Sequence, residues 1–294
     1  MMRNLTRVTT GTLLLALLPL CGCEQGLGGG AYTPSSVTLI VSDAGGSTGG
    51  PATPETAGPV ALAGFGTVKG KVVIDGAAPT LAMLVGKGSQ TKAGDELCAV
   101  NGVPNESVIA DAGGGLANVI VFLKKVPKGV SIPAAPTDKI IFDQQGCIFT
   151  PHVFVARVGQ TIVLTNSDSV AHNVHTNSNN KGLNQAIPAK KSDQLVQTLD
   201  LVYEKPEDKP IKTTCDFHGW MDSYHLVVNH PWAAVTGPDG SFEIKDVPAG
   251  KMTFVIWHEK AGNVVNRGLD VDVVPDKSTE ELVIKVPAAK LTGK

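Results

Sequence analysis

Hydrophobic and polar positions alternate along most of the folded length of this chain. Leu269-Asp270-Val271-Asp272-Val273 and Leu282-Val283-Ile284-Lys285-Val286 show it clearly. A period of two is that of a half-buried strand. Similar apolar runs predict strands at 68–74, 117–123, 153–158, 160–165, 211–215, 224–228, 241–244, 252–257, 269–274 and 281–286. Turn chemistry separates them: Asp75-Gly76, Gly113-Gly114-Gly115, Pro238-Asp239-Gly240, Pro248-Ala249-Gly250 and Ala261-Gly262-Asn263. No long segment carries a 3.6-residue period. Many short strands at short spacing predict an all-β protein built as sandwiches or barrels.

The first sixty residues follow another pattern. Arg3 and Arg7 precede the apolar run Leu13-Leu14-Leu15-Ala16-Leu17-Leu18, which is too short to span a bilayer. It ends at Leu20-Cys21-Gly22-Cys23. A small residue before a cysteine, with Leu three positions ahead of it, resembles a bacterial lipoprotein cleavage box with Cys23 as the acylated residue. Cys21 fits less well, because Leu20 is not small. The expected signal peptide is 1–22, and the mature chain is an exported, periplasmic or cell-envelope lipoprotein held to the membrane by its lipid alone. Residues 23–63 are rich in Gly, Ser, Thr, Pro and Ala, cannot offset their ordering entropy by burial, and read as a flexible linker.

At 294 residues the chain has room for two small domains plus tails. Its net charge of −2 gives no reason to expect a nucleic-acid partner. Cleavage after residue 22 would remove Arg3 and Arg7 and no acidic residue, leaving the mature chain mildly acidic. Of five cysteines, Cys21 is discarded, Cys23 is lipidated and Cys215 belongs to the motif below. Cys98 and Cys147 remain, and an exported compartment lets them pair. The alternative is two buried thiols, which only their separation in space distinguishes.

Two short stretches carry chemistry: His172-Asn173-Val174-His175, and Cys215-Asp216-Phe217-His218-Gly219-Trp220-Met221. Singly, each residue has a bland reading as a satisfied histidine, a disulfide cysteine or a core methionine. Together, two imidazoles, a thiolate and a weak thioether are the ligand set of a blue-copper site. Zinc accepts Cys and His but rarely thioether. A binuclear copper centre needs a second cysteine in the loop, and covalent haem needs Cys-x-x-Cys-His; neither is present. The expectation is one type 1 copper per chain on His172, Cys215, His218 and Met221.

The middle of the chain, 137–231, resembles a cupredoxin of the amicyanin or plastocyanin kind. The resemblance rests on Asp143 to His152, Val158-Gly159-Gln160-Thr161-Ile162, Asn166-Ser167-Asp168 leading to His172, and the ligand loop. It implies a Greek-key β-sandwich with His172, rather than His175, as the ligand, and Asn173 as the residue that ties the two ligand loops together. It also implies His218 near the surface as the electron port, ringed by Phe217, Gly219 and Trp220. Gly219, where proline is usual, and Asp216, beside the thiolate, depart from the pattern. His152, His225, His230 and His258 receive no role. The flanks, 64–136 and 232–294, resemble one transthyretin-like sandwich of the carboxypeptidase-regulatory type, signed by 68–72, 117–121 and 239–251. The copper domain is then an insertion in it, the favoured reading over sequential domains.

The function implied is electron carriage between an exported redox donor and acceptor that dock near His218. No catalytic residues are expected, because four protein ligands leave no position for substrate and no nucleophile–base pair accompanies them. The alternative is a non-redox copper-binding or surface-interaction lipoprotein.

Overall fold

The computed structural model describes residues 64–90, 92, 95–191 and 196–292. The expected signal peptide, Cys23 and the linker lie outside the described residues.

The first segment supplies β1 (Phe65–Asp75), a short helix α1 (Glu96–Asn101) and β2 (Ile120–Leu123). Nine strands follow: β3 (Ile140–Gln144), β4 (Phe149–Thr150), β5 (Val153–Arg157), β6 (Thr161–Thr165), β7 (His172–Thr176), β8 (Leu183–Ile187), β9 (Thr198–Val202), β10 (Ile211–Thr214) and β11 (Asp222–Val228). The last segment gives β12 (Ala233–Val235), β13 (Ser241–Pro248), β14 (Gly250–His258), β15 (Gly262–Asn263), β16 (Leu269–Val273) and β17 (Leu282–Pro287). The described residues form an all-β architecture of packed sheets.

Two sheets mix the two ends of the chain. One runs β13-β1-β17, with β1 antiparallel to β13 and parallel to β17. The other runs β12-β2-β14-β15, with β16 also on β14. Their shared core holds Val72, Leu116, Val121, Ile244, Phe254, Ile256 and Val286. The turn at Gly240 locks the ends together, its carbonyl accepting from the Val72 amide at 2.9 Å. Gly240 sits at φ +80°, and a Cβ on Gly115 would fall 1.9 Å from the Asp239 carbonyl oxygen. Only glycine fits such a close approach.

The other two sheets come wholly from the middle: β5-β11-β10-β7-β8 and β4-β3-β6-β9. Phe142, Phe149, Phe154, Leu164, Val174, Tyr203 and Val227 fill the space between them. Val85, Cys98, Ala99 and Val103, from around α1, join this core although they precede β2 in sequence. A disulfide joins Cys98 to Cys147, with Cα atoms 5.5 Å apart.

All four residues of β2 are buried. Val121 and Leu123 face the outer core. Ile120 and Phe122 face Val153, Leu226 and Val228 of the middle sheets. A strand with a core on each side needs an unbroken apolar run.

Candidate metal centre

β7 begins at His172. Side chains alternate across a strand, so His172, Val174 and Thr176 share one face while Asn173 and His175 share the other. Asn166 shapes the loop ahead of it: its side-chain amide donates to the carbonyls of Val170 (2.8 Å), Pro188 (3.0 Å) and Ile187 (3.2 Å). Its Oδ1 accepts from the Asp168 amide at 2.9 Å. The Asp168 carboxylate in turn accepts from the amides of Gly146 (2.7 Å) and Cys147 (2.8 Å). It lies 2.9 Å from His172 Nε2. That bond places the ring proton on Nε2 and leaves the Nδ1 lone pair free.

Cys215 follows the last residue of β10, and Met221 precedes the first of β11. Thr214 and Asp222 pair across the hairpin, so the seven residues between them form one closed loop. The Cys215 amide donates to the Met221 carbonyl (3.2 Å) and the Met221 amide to the His218 carbonyl (2.9 Å). His218 Nε2 lies 2.9 Å from Asp95 Oδ1, which leaves its Nδ1 free as well.

Three donors therefore face one point. The two Nδ1 atoms are 2.9 Å apart, and Cys215 Sγ lies 4.0 Å from that of His172 and 3.7 Å from that of His218. All three residues are buried. A triangle with these edges has its circumcentre about 2.1 Å from every donor, the length of a metal–imidazole bond and slightly under that of a metal–thiolate bond. Two lone pairs this close repel unless a cation lies between them. Burial alone would raise the Cys215 thiol, but its close polar contacts with the His172 and His218 rings overcome this and bring the pKa down to about 6. The donor set thus fits a soft-to-borderline metal ion.

Asn173 joins the two loops. Its amide points at Cys215 Sγ (3.4 Å) and its Oδ1 accepts from the Asp216 amide (2.5 Å). Met221 is buried in the same apolar cluster as Cys215. His175 lies on the opposite strand face, with Nδ1 2.9 Å from Asp216 Oδ1. The Asp216 carboxylate also accepts from Asn184 (2.8 Å) and Asn173 (3.1 Å), so its charge is engaged on that outer side.

One expectation needs correction. His218 is not a surface residue: it is 2% exposed. Asp95, at the start of α1, covers its outer edge, and the Cys98–Cys147 bond holds α1 in place. Phe217, 47% exposed, and Gly219 remain at the surface beside it. Trp220 is half-buried, donating its indole N–H to the Cys147 carbonyl at 3.3 Å.

Two residues of the site escaped the sequence reading. Asp168 stood in the motif region four residues before His172, a spacing that could have flagged it. Asp95 lies 123 residues from its partner and gave no signal. Among the histidines without a role, His225 is fully buried, stacked on Phe154 with ring centres 4.9 Å apart and bonded to the Tyr203 hydroxyl at 3.0 Å.

No protein-family model and no curated protein matches this chain. Solved structures do. The reduced Cu(I) form of an amicyanin variant at pH 4 matches at 18% identity and TM-score 0.26, covering 36% of this chain and 90% of that one. A purple cupredoxin from Nitrosopumilus maritimus matches at 24% identity and TM-score 0.24, covering 30% and 97%. A copper-containing nitrite reductase from Thermus scotoductus SA-01 matches at 18% identity and TM-score 0.25, covering 35% and 25%. Likenesses this distant leave the chemistry to be read from the site's own atoms.

Proposed function

We propose that this chain is a type 1 (blue) copper protein that carries single electrons between exported redox partners. The observation that carries the reading is the convergence of two imidazole lone pairs and a low-pKa thiol on one buried point. His172 Nδ1, Cys215 Sγ and His218 Nδ1 would hold the ion, with Met221, buried in the same cluster, as a weak fourth ligand. Copper bound there would take up and release one electron, since this ligand set suits both its oxidation states. The chain's own part is to keep the donors fixed. Asp168 and Asp95 hold the Nε2 protons of the two rings, Asn173 spans the loops, and burial excludes water. Such outer contacts orient ligands and tune a metal.

With four protein ligands there is no place for substrate, which favours a carrier over an enzyme. The disulfide favours an oxidising compartment, hence export, and Cys23 would provide the lipid anchor. The sheets shared between 64–136 and 232–294 support a transthyretin-like sandwich interrupted by the cupredoxin-like one at 137–231. Redox partners would dock over Phe217 and Gly219, the exposed neighbours of His218.

Visible spectroscopy and voltammetry on the copper-loaded chain test the reading. We expect one copper per chain, intense blue absorption, reversible one-electron cycling, and loss of colour in Cys215→Ala. Copper bound without colour or cycling would support storage or surface interaction instead and end the carrier assignment.

A further inference from the structure

A second cluster of metal-ligating side chains lies where the end-derived sheets meet the middle ones. His152 immediately precedes β5, Asp222 opens β11, and Glu259 immediately follows β14. One donor atom from each lies within 4.8 Å of the others. His152 Nε2 contacts a Glu259 carboxylate oxygen, and its Nδ1 faces Glu106 Oε2 at 4.0 Å. The His152 and Glu259 side chains are only 9% and 5% exposed. All four residues line one cavity of about 350 Å³.

We propose that His152, Asp222 and Glu259 form a binding site for a divalent zinc-class cation, with Glu106 orienting the imidazole from behind. One imidazole with carboxylates is a mixed nitrogen–oxygen set that suits zinc. At 4.0 Å Glu106 is beyond hydrogen-bond reach and would act on the imidazole through its charge. The donors sit at strand ends, which fixes them better than a free loop would.

Three carboxylates gather here. Lys212 lies 3.1 Å from Asp222, and Lys260 lines the same cavity. Burial pushes the Glu259 carboxyl upward despite its bond to His152 and the nearby charge of Lys260. A dication would take the place of the proton that His152 and Glu259 now share. It would also pin β14 to β5 and β11, joining strands far apart in sequence. The open cavity leaves room for water or a small ligand on its outer side. This site shares no ligand with the Cys215 centre, although Met221 lines the same cavity and adjoins Asp222, so the two are told apart by reading zinc here and copper there.

The test is zinc retention by the full chain after equilibrium dialysis, in a Cys215→Ala background that cripples the other centre. One zinc per chain is expected. Adding Glu259→Gln, or Asp222→Asn, should weaken it at least tenfold, with circular dichroism confirming the fold. If Glu259→Gln does not fold, Asp222→Asn decides, being the more exposed position. No zinc in the Cys215→Ala chain, or zinc undiminished by the carboxamide substitutions, overturns the proposal. Colour and cycling of the copper-loaded chain report separately on the other centre.

Discussion

Asp168 and Asp95 do for the two histidines what the histidines do for each other's geometry. Each carboxylate takes an Nε2 proton, at 2.9 Å in both cases, and so turns Nδ1 inward. Asp168 is itself held by two backbone amides, and its carboxyl pKa falls: burial opposes this, but the bonds to His172, Cys147 and Gly146 prevail. Asp95 is more exposed and is the residue to probe. Asp95→Asn keeps an acceptor but removes a negative charge beyond His218. The reduced, less positive metal state then gains, and the potential measured by voltammetry should rise by on the order of 50 mV, the worth of a partly screened charge several ångströms away. An unchanged potential would mean that the Asp95 charge is fully compensated by solvent.

Among the elements, α1 is the unexpected one. Its six residues come from the first segment yet pack into the middle core through Cys98 and Ala99. The disulfide closes a loop with a sequence separation of 49. By the chain-entropy relation such a loop is worth about 4 kcal/mol at most, and measured losses run about 2–5 kcal/mol. Cys98→Ala with Cys147→Ala should therefore lower unfolding free energy in urea by about 2–4 kcal/mol. It should also loosen the Asp95 cover, seen as faster reaction of the copper-loaded protein with a small external reductant. Strand β7 decides by parity. His172 and His175 are three apart, so one faces the core and the other faces Asp216.

Across the described residues, β2 has an apolar cluster on each face, and buried histidines make the packed sheets sensitive to acid. Burial drives His225 down to about 3 and His230 and His258 to about 4. Unfolded, each titrates near 6.5. The unfolded chain binds more protons between these values, so stability is full above about pH 6.5 and falls as pH drops toward the folded pKa. Each group adds a slope of about 1.4 kcal/mol per pH unit. Urea denaturation from about pH 7 to about pH 4 should show this loss. His225→Gln should flatten its share of the slope, and an identical slope in that variant would assign the acid sensitivity to other groups.

The sequence alone determined the fold class, because a period of two follows directly from strand geometry and needs no partner to be recognised. It also brought out Cys215, His218 and Met221, whose seven-residue spacing fits one closed hairpin loop. It missed β3, although Ile140-Ile141-Phe142 is apolar, and the two- and three-residue strands β4, β12 and β15, too short to show a period. It missed β8 and β9, which are largely exposed, and β7, whose polar run His172 to Thr176 is buried for the site rather than for apolar packing. Tertiary structure alone decided that Asp95 covers His218; it also brought His172 inward and Cys98 onto Cys147, which the resemblance and the cysteine count had offered only as expectations. Those outcomes depend on residues tens to more than a hundred positions apart approaching within hydrogen-bond or disulfide reach, and no local pattern encodes such a distance.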